Sequence, residues 1–280
     1  MRLILEHSGA SGLAYDLSSQ NIATGRSASE RCTTCPMRSQ GFCSLLTDQE
    51  LSRRVTRRVY QRRTAISDDG EPLRFIYILR SGVLSVARNL SGGRRQVLDF
   101  LMGGDSIGLD RSDRTSTTVR VLEDAEVCQL PADLCDLETR STGFIRGLIG
   151  LIEQQLERVH SHIVLLGKLS AEERVVAFLL RYRERQSRLQ VLHARVDLPM
   201  TRKDIADHLG MAPETVSRVL SWLQDRQLIL HIPDGIRIRD LEALTQLQLY
   251  KGNPPRDESL PRGSRVVSGS TSIPAISDVY

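Results

Sequence analysis

The chain has 280 residues, of which 40% are hydrophobic and 26% charged, and its formal net charge is +4. This composition is typical of a soluble globular protein with room for two compact domains plus tails. No apolar run is long enough to cross a membrane, and the apolar patch near the N-terminus is too short for a signal peptide. We therefore expect a cytoplasmic protein with no membrane partner, in which cysteines stay reduced.

The two ends of the chain predict no fixed structure. Residues 1–30 are polar, rich in Ser and Gly and without a clear period, so we expect a flexible arm. Residues 251–280 hold four of the ten prolines and are typical of a disordered tail.

Three of the five cysteines follow the arm in one short polar stretch. Cys32, Cys35 and Cys43 form a C-x2-C-x7-C pattern. In a reducing compartment such a group of thiols more often binds metal than forms disulfides. A metal site with four cysteine ligands needs one more thiol than this stretch supplies, and that thiol would have to come from elsewhere in the chain.

From about residue 51 to residue 131, short apolar runs alternate with turn signals. The runs are FIYILRSG (75–82), VLSVARN (83–89), SGGRRQVLDFLMGGD (91–105) and STTVRVLEDAEVCQLP (116–131). Short strands at this spacing, with glycine pairs at 92–93 and 103–104, predict an antiparallel sandwich or roll. We assign residues 31–141 to this domain.

A long helix is predicted next, over residues 142–169. One row of its residues alternates spacings of four and three: Leu148, Ile152, Gln155, Val159, His162, Leu166 and Leu169. Such a heptad seam needs a partner helix. Packing of the helix against its own domain would also explain the row. However, Gln155 and His162 are polar, and polar residues in such a seam commonly fix the register of two paired helices. We interpret the row as the interface of a homodimer.

Residues 170–250 predict a second domain with a helix-turn-helix. SAEER opens with a Ser-x-x-Glu capping box. Within residues 201–224, Thr201 can cap a short helix, Gly210 supplies a turn, and Pro213 suits the first position of a second helix. The side chains expected to face the interior are Ile205, Ala206, Val216, Val219 and Leu220. The following LILHIPDGIRIRD predicts a hairpin, which makes the domain winged.

The outward face of the second helix carries Glu214, Ser217 and Arg218 near its N-terminus, the part that enters the major groove in such domains. Arginine can donate two hydrogen bonds to guanine, and a carboxylate can accept one from cytosine. The alternative is a surface Glu–Arg pair that bridges i to i+4 and reads nothing. We predict that these three residues bind DNA.

The glycine-punctuated roll, the long helix and DIADHLGMAPETVSRVL together resemble the Crp/Fnr superfamily of bacterial transcription regulators, over residues 30–249. The stretch Glu214–Arg218 resembles the E-x-x-S-R pattern of the FNR branch, which includes the FnrN and cysteine-bearing FixK types. The resemblance implies an α+β fold: an N-terminal cyclic-nucleotide-binding-like β-roll, a long dimerisation helix and a C-terminal winged helix-turn-helix. It further implies a homodimer that binds double-stranded DNA at a two-fold TTGAT operator and acts with RNA polymerase.

The resemblance also supplies a fourth thiol. The FNR branch completes its cluster with a cysteine at the end of the roll, before a proline, and Cys128-Gln129-Leu130-Pro131 matches that pattern. It implies a [4Fe–4S] cluster on Cys32, Cys35, Cys43 and Cys128, and an oxygen-responsive regulator of anaerobic or microaerobic genes. A zinc site, or unliganded thiols acting as a redox switch, stays open. For Cys135 we expect a small buried hydrophobe, with exchange for Cys128 as the lesser alternative.

Two rival functions are less well supported by the residues. Cyclic-nucleotide binders of this superfamily show Gly-Glu and then an arginine that grips the phosphate, whereas Gly108 is followed here by Leu109 and Arg114 is one residue out of place. A regulator that senses some other small molecule stays open. No nucleophile–base constellation or phosphate loop is visible, so we do not expect an enzyme.

Overall fold

A computed structural model describes residues 32–67, 75–109, 117–135, 140–188 and 194–249. The predicted arm, the predicted tail and Arg114 lie outside these ranges. Among the described residues, those up to Gln248 belong to one compact unit, and a second unit begins at Leu249. None of the helices in the described ranges combines the length and the apolar character needed to cross a membrane.

The N-terminal half is a β-roll built on one six-stranded antiparallel sheet. A 3₁₀ turn, Gly41–Leu45, and a short helix, α1 (Asp48–Arg54), precede the sheet. The strands are β1 (Thr56–Tyr60), β2 (Ala65–Ser67), β3 (Phe75–Asn89), β4 (Arg95–Leu101), β5 (Ser106–Ile107) and β6 (Thr118–Pro131). The order is β1-β6-β3-β4, with β2 also paired to β6 and β5 to β3. The long strand β6 therefore lies at the centre, with β1 and β3 on its two sides.

The two runs predicted as separate strands over 75–82 and 83–89 form one strand, β3. Its pairing with β6 shifts register on both sides of Gly82, whose φ of 87° lies in the left-handed region. A Ser-Gly pair signals a turn, but it equally allows a bulge at which a continuous strand bends. The sequence pattern alone does not distinguish these two outcomes.

The long helix, α2, spans Thr142–Lys168, and the Ser141 side chain caps it by accepting a hydrogen bond from the Phe144 N–H. Its exposed apolar row is not the predicted seam. Five side chains, each at least half exposed, form this row: Ile149, Ile152, Leu156, Val159 and Ile163. Only two of them, Ile152 and Val159, belong to the predicted set.

The exposed row differs from the predicted seam because several residues of that seam pack within their own chain. Leu148 packs against the cluster that contains the cysteines, and Leu166 and Leu169 pack against the core of the C-terminal half. The ring of His162 stacks on that of His208, with centroids 4.3 Å apart. The helix has two adjacent apolar faces, and heptad spacing does not say which of them the monomer buries.

The C-terminal half is a winged helix-turn-helix. Its helices are α3 (Ala171–Ser187), α4 (Arg202–Leu209), α5 (Pro213–Asp225) and α6 (Leu241–Leu249). The predicted hairpin is present as β8 (Ile229–Ile232) and β9 (Gly235–Ile238), and β7 (Arg195–Asp197), which was not predicted, pairs with β9. The predicted capping box at Ser170 is formed, and Thr201, predicted as a cap, forms a capping box with Asp204. The α+β fold expected from the sequence is confirmed.

The two halves meet where α4 packs on β4. The Arg95 guanidinium is paired with Asp204 and lies 3.0 Å from Asp207. A ring nitrogen of His208, Nδ1, lies 3.1 Å from the Val97 carbonyl oxygen. Apolar side chains of β4 share one core cluster with those of α3, α4 and α5. A change in the roll can therefore reach the helix-turn-helix through directly packed side chains.

Candidate functional site

The helix-turn-helix presents the three predicted DNA-binding side chains as one exposed surface. Gly210 is the left-handed C-cap of α4, with φ 61°, and Pro213 occupies the first turn of α5. The two helices cross closely because Ala206 is fully buried between them. Packing of this kind leaves the opposite side of α5 free, and Glu214, Ser217 and Arg218 are all exposed there.

The hydrogen bonds on this surface are weak or local. The Ser217 hydroxyl donates to the Pro213 carbonyl at 3.0 Å, and the Arg218 Nη2 lies 3.4 Å from the Thr215 hydroxyl. Both Glu214 and Arg218 are described residues, and no ion pair joins them. The bridging Glu–Arg pair considered from the sequence is therefore not formed, and the guanidinium is available to a ligand.

The cysteine site brings together residues from a loop and from the centre of the sheet. Cys32, Cys43 and Cys128 are buried in one hydrophobic cluster, and Cys35 is half-buried. All four are free thiols. Cys32 and Cys35 share a tight turn, in which the Cys35 N–H donates to the Cys32 carbonyl at 3.2 Å. We name residues 32–46 the cysteine loop; it lies against the roll at Cys128.

Arg38 holds the cysteine loop in shape. Its guanidinium donates to the carbonyl of Cys43 at 2.7 Å and to that of Leu46 at 2.9 Å, and it pairs with Asp48. The loop approaches the roll most closely at Gly41, which has φ 49°. A Cβ atom there would lie 2.2 Å from the carbonyl oxygen of Gly104, so only glycine fits this position.

The cysteine loop also packs on the first turns of α2. Phe42 is fully buried, and its ring meets that of Phe144 edge to face with centroids 6.0 Å apart. The Leu45 side chain fills the space beside Gly147, one turn further along the helix. Because these contacts come from the segment that carries Cys43, the position of the loop is coupled directly to the long helix.

Burial and mutual proximity raise the pKa values of the thiols. The pKa of Cys43 is raised to about 12, first by burial and then by the charges of Cys128, Cys35 and Cys32. Burial raises the pKa of Cys128 to about 11 and also raises that of Cys32, while Arg57 opposes both shifts. Without a metal these three thiols are protonated near neutral pH, and a metal would have to displace their protons.

Three charged side chains beside the cysteines were not foreseen from the sequence. Arg57 on β1 and Arg80 on β3 both form ion pairs with Glu126 on β6. Arg57 opposes the rise that burial causes in the pKa of Cys32, and Cys35 and Glu126 raise the pKa of Arg80 against the effect of burial. These residues are far apart in the chain and meet only because β1 and β3 both pair with β6. No local sequence signal could have found them.

The donor set fits an iron–sulfur cluster by its chemistry, since each iron of such a cluster takes one cysteine thiolate. Four soft sulfur donors surrounded by apolar and cationic side chains meet that need. In the described ranges, no group of three or more His, Cys, Asp or Glu side chains is close enough to bind a single metal ion. The side chain of Cys135 lies outside what the structure describes.

A cavity of about 550 Å³ lies between the roll, α2 and α3. Its charged lining includes Arg158, Arg181 and Arg185 beside Asp105. Arg185 bonds Asp99 at 3.1 Å and Asp105 at 2.5 Å. Burial lowers the pKa of Arg181; the charges of Arg185 and Arg158 add to this shift, and those of Asp99 and Glu184 oppose it. Among the described residues, no ion pair or hydrogen bond neutralises the Arg181 guanidinium.

Comparisons with known proteins agree with this architecture. A cyclic nucleotide-binding domain matches residues 57–135, and a Crp-like helix-turn-helix domain matches residues 173–247. The chain is 34% identical over 216 residues to the transcriptional activatory protein AadR of Rhodopseudomonas palustris, with 75% of this chain and 90% of AadR covered. It is 30% identical over 197 residues to the fumarate and nitrate reduction regulatory protein of Yersinia pestis, with 69% and 78% covered.

A solved structure shares the same arrangement of roll, long helix and helix-turn-helix. FixK2 from Bradyrhizobium japonicum superposes with a TM-score of 0.63 at 29% identity, and the match covers 69% of this chain and 96% of FixK2. The sequence relatives and this structure span the roll and the helix-turn-helix together rather than one domain alone. The chain therefore belongs to the Crp/Fnr family of transcription regulators.

Proposed function

We propose that this regulator responds to oxygen through a [4Fe–4S] cluster held by Cys32, Cys35, Cys43 and Cys128, and that it controls anaerobic or microaerobic genes. The observation that carries the proposal is the gathering of these four thiols between the cysteine loop and the sheet. A loop with no ligand to hold would have little reason to bury two thiols beside a third on a strand from the other end of the domain.

When bound, the cluster supplies an oxygen-labile link between the loop and strand β6. The protein residues then transmit the state of that link. Phe42 and Leu45 carry the position of the loop to the first turns of α2. Release of the loop would remove these contacts and alter the end of α2 on which the dimer depends.

The dimer itself would form along the exposed row of α2. Its five apolar side chains are at least half exposed in the monomer, and a second copy of the helix would bury them. Val159 belongs to this row, and its apolar side chain favours pairing. Two paired copies would present two α5 helices to successive major grooves of an operator.

On the operator, Arg218 and Glu214 would read the single G·C pair of each TTGAT half-site. The guanidinium has the forked donors that match guanine O6 and N7, and the carboxylate can accept from cytosine N4. The exposed, unpaired state of both side chains supports these roles. Bound in this way, the dimer would activate transcription together with RNA polymerase.

The decisive test is the visible absorption spectrum and metal content of protein purified without oxygen. We expect charge-transfer absorption that bleaches in air, with about four irons and four sulfides per chain. Stoichiometric zinc without iron would overturn the proposal in favour of a structural zinc site. Protein that contains no metal, but binds the operator only when its thiols are reduced, would indicate a redox switch.

A second candidate function rests on the cavity beside Arg181. The Arg181 guanidinium is half-buried and makes no ion pair among the described residues, whereas Arg158 and Arg185 are paired with Asp105. An unpaired guanidinium in a cavity is suited to a small anion, so the roll could act as a receptor for an anionic metabolite. Because the roll matches a cyclic nucleotide-binding domain, the first ligands to test are cyclic AMP and cyclic GMP, by calorimetric titration. Binding that is lost in Arg181→Met and that strengthens operator binding would favour the receptor over the cluster.

A further inference from the structure

Arg57, Arg80 and Glu126 form a charged group beside the cysteines, on three neighbouring strands of the sheet. In the antiparallel pairing, Arg57 on β1 lies directly opposite Cys128 on β6, and so does Ile78 on β3. Glu126 precedes Cys128 by two residues, so the two side chains share a face of β6. Arg80 lies at a bulge of β3, where the register shifts between Leu79 and Ser81, and its ion pair with Glu126 places it on the same side.

Glu126 links the two arginines. The Arg57 Nη1 lies 3.3 Å from one carboxylate oxygen of Glu126, and Arg80 is hydrogen-bonded to the other. The exposed fractions of the three side chains are only 18%, 30% and 22%, for Arg57, Arg80 and Glu126 respectively. An ion pair shielded to this extent is held more firmly than one at an open surface, so the carboxylate fixes where each guanidinium can point.

The charge of each arginine acts on one cysteine of the loop. Burial raises the pKa of Cys32 and Arg57 opposes that shift, while Cys35 and Glu126 raise the pKa of Arg80 against the effect of burial. Cys32 and Cys35 are the two cysteines that start the loop, and Arg38 holds its Cys43 end.

We propose that Arg57 and Arg80, tied together by Glu126, are positioning residues of the cysteine site. They hold the sulfurs of Cys32 and Cys35 toward Cys128 and offset the negative charge of bound thiolates. The inference rests on the proposed function, because it assigns these arginines to the ligand set of that same cluster. Partners that orient ligating side chains in this way commonly change metal retention about 10- to 100-fold when they are removed.

The test compares Arg57→Met and Arg80→Met with Arg57→Lys, Arg80→Lys and Glu126→Gln. Methionine keeps much of the length of arginine without its charge or donors, whereas lysine keeps the charge. The control is Arg120→Met, since Arg120 is exposed on the same strand as Glu126. After anaerobic reconstitution, loss of iron to a chelator is followed by the decay of visible absorption, and circular dichroism checks that each variant is folded.

We expect Arg57→Met and Arg80→Met to lose iron roughly 10-fold faster than wild type. The lysine variants and Glu126→Gln should lose iron at rates between those of wild type and the methionine variants, and Arg120→Met should lose iron at the wild-type rate. A shifted visible spectrum in the methionine variants, restored by lysine, would separate positioning of the sulfurs from a general loss of stability. Equal iron loss in all folded variants would overturn the proposal.

A second measurement uses metal-free protein, so that failure of the proposed function can be recognised separately. The rate at which trypsin cleaves after Arg38 is used to follow release of the cysteine loop from the sheet. If wild type takes up no iron under any condition, the cluster proposal fails. Faster cleavage in Arg80→Met than in Arg120→Met would then still establish that the arginines hold the loop, whereas equal cleavage would refute even that part.

Discussion

The cysteine site and the proposed DNA-binding surface are built in opposite ways. The proposed DNA-binding surface is a short stretch of helix α5, with Glu214, Ser217 and Arg218 all exposed within five residues of sequence. The cysteine site is buried and combines a loop with three strands, so that Cys43 and Cys128 share one cluster although they lie far apart in sequence. A surface that reads DNA has to be open to its ligand, whereas the proposed oxygen-labile cluster has to be shielded and mechanically connected to the rest of the protein.

The largest expected effect comes from breaking the buried site. Cys43→Ser removes one of four proposed ligands, and we expect it to abolish iron binding and anaerobic activation while the fold is retained. Cys128→Ser should behave in the same way, since both side chains lie in the same cluster. Iron content and reporter activity under anaerobic conditions are the measurements.

Cys135→Ser is the matched control for both cysteine substitutions, and it should be close to neutral. If Cys135→Ser loses iron and Cys128→Ser keeps it, the fourth ligand has been assigned to the wrong cysteine. The DNA-binding surface provides a second control, because neither substitution changes a residue of α5.

The features that the sequence predicts are those that depend on residues close together in the chain. The caps and turn of the helix-turn-helix depend on residues a few positions apart, and Thr201, Gly210 and Pro213 have the roles that their spacing indicated. The cysteines could be grouped by spacing and by family resemblance. Arg57 and Glu126 could not, because they meet only through the pairing of β1 with β6.

The exposed apolar row on α2 shows a different limit of prediction. Heptad spacing identified an apolar helix correctly but selected the face on which Leu148 and Leu166 pack within the monomer. Which apolar face remains free depends on the position of the cysteine loop and of α3. Neither contact can be read from the period of the helix itself.

The exposed apolar row lies on α2, the helix that connects the cysteine site to the helix-turn-helix. If this row is the dimer interface, a charge placed on it should weaken the dimer. Leu156→Glu would bring two carboxylates together at an apolar interface, and we expect it to weaken the dimer by about 3 kcal/mol or more. Gln155→Glu adds the same charge one residue away, on the adjacent face, and should leave the dimer intact. Sedimentation of the anaerobic protein measures both, and the opposite ranking would restore the seam predicted from the sequence.

On the open surface, a single substitution should change selectivity rather than abolish function. Arg218→Ala should cost on the order of 1–3 kcal/mol per half-site and relax selection mainly at the G·C pair. The measurement is binding to operators varied one position at a time at fixed salt. Weakening that is equal across all variants would mean that Arg218 contacts the DNA backbone instead.

The smallest expected effect lies at the junction of the two regions, where His208 of α4 packs on β4. Burial, and then the charge of His162, lower the pKa of His208 from 6.5 to about 4, although the nearby Asp99 opposes this shift. Above pH 6.5 the imidazole is neutral in both the folded and the unfolded chain. As the pH falls below that value, the unfolded chain takes up a proton that the folded chain does not, so stability decreases.

Between pH 7 and pH 5 this single group should remove about 2 kcal/mol of stability. In His208→Gln the amide can still donate to the Val97 carbonyl but takes up no proton, so its Tm should fall less over the same interval than that of wild type. His160→Gln, an exposed histidine on α2, is the control and should follow wild type. Parallel pH profiles for wild type and His208→Gln would mean that the imidazole is protonated at the junction, and that the contact between roll and helix-turn-helix tolerates a buried charge.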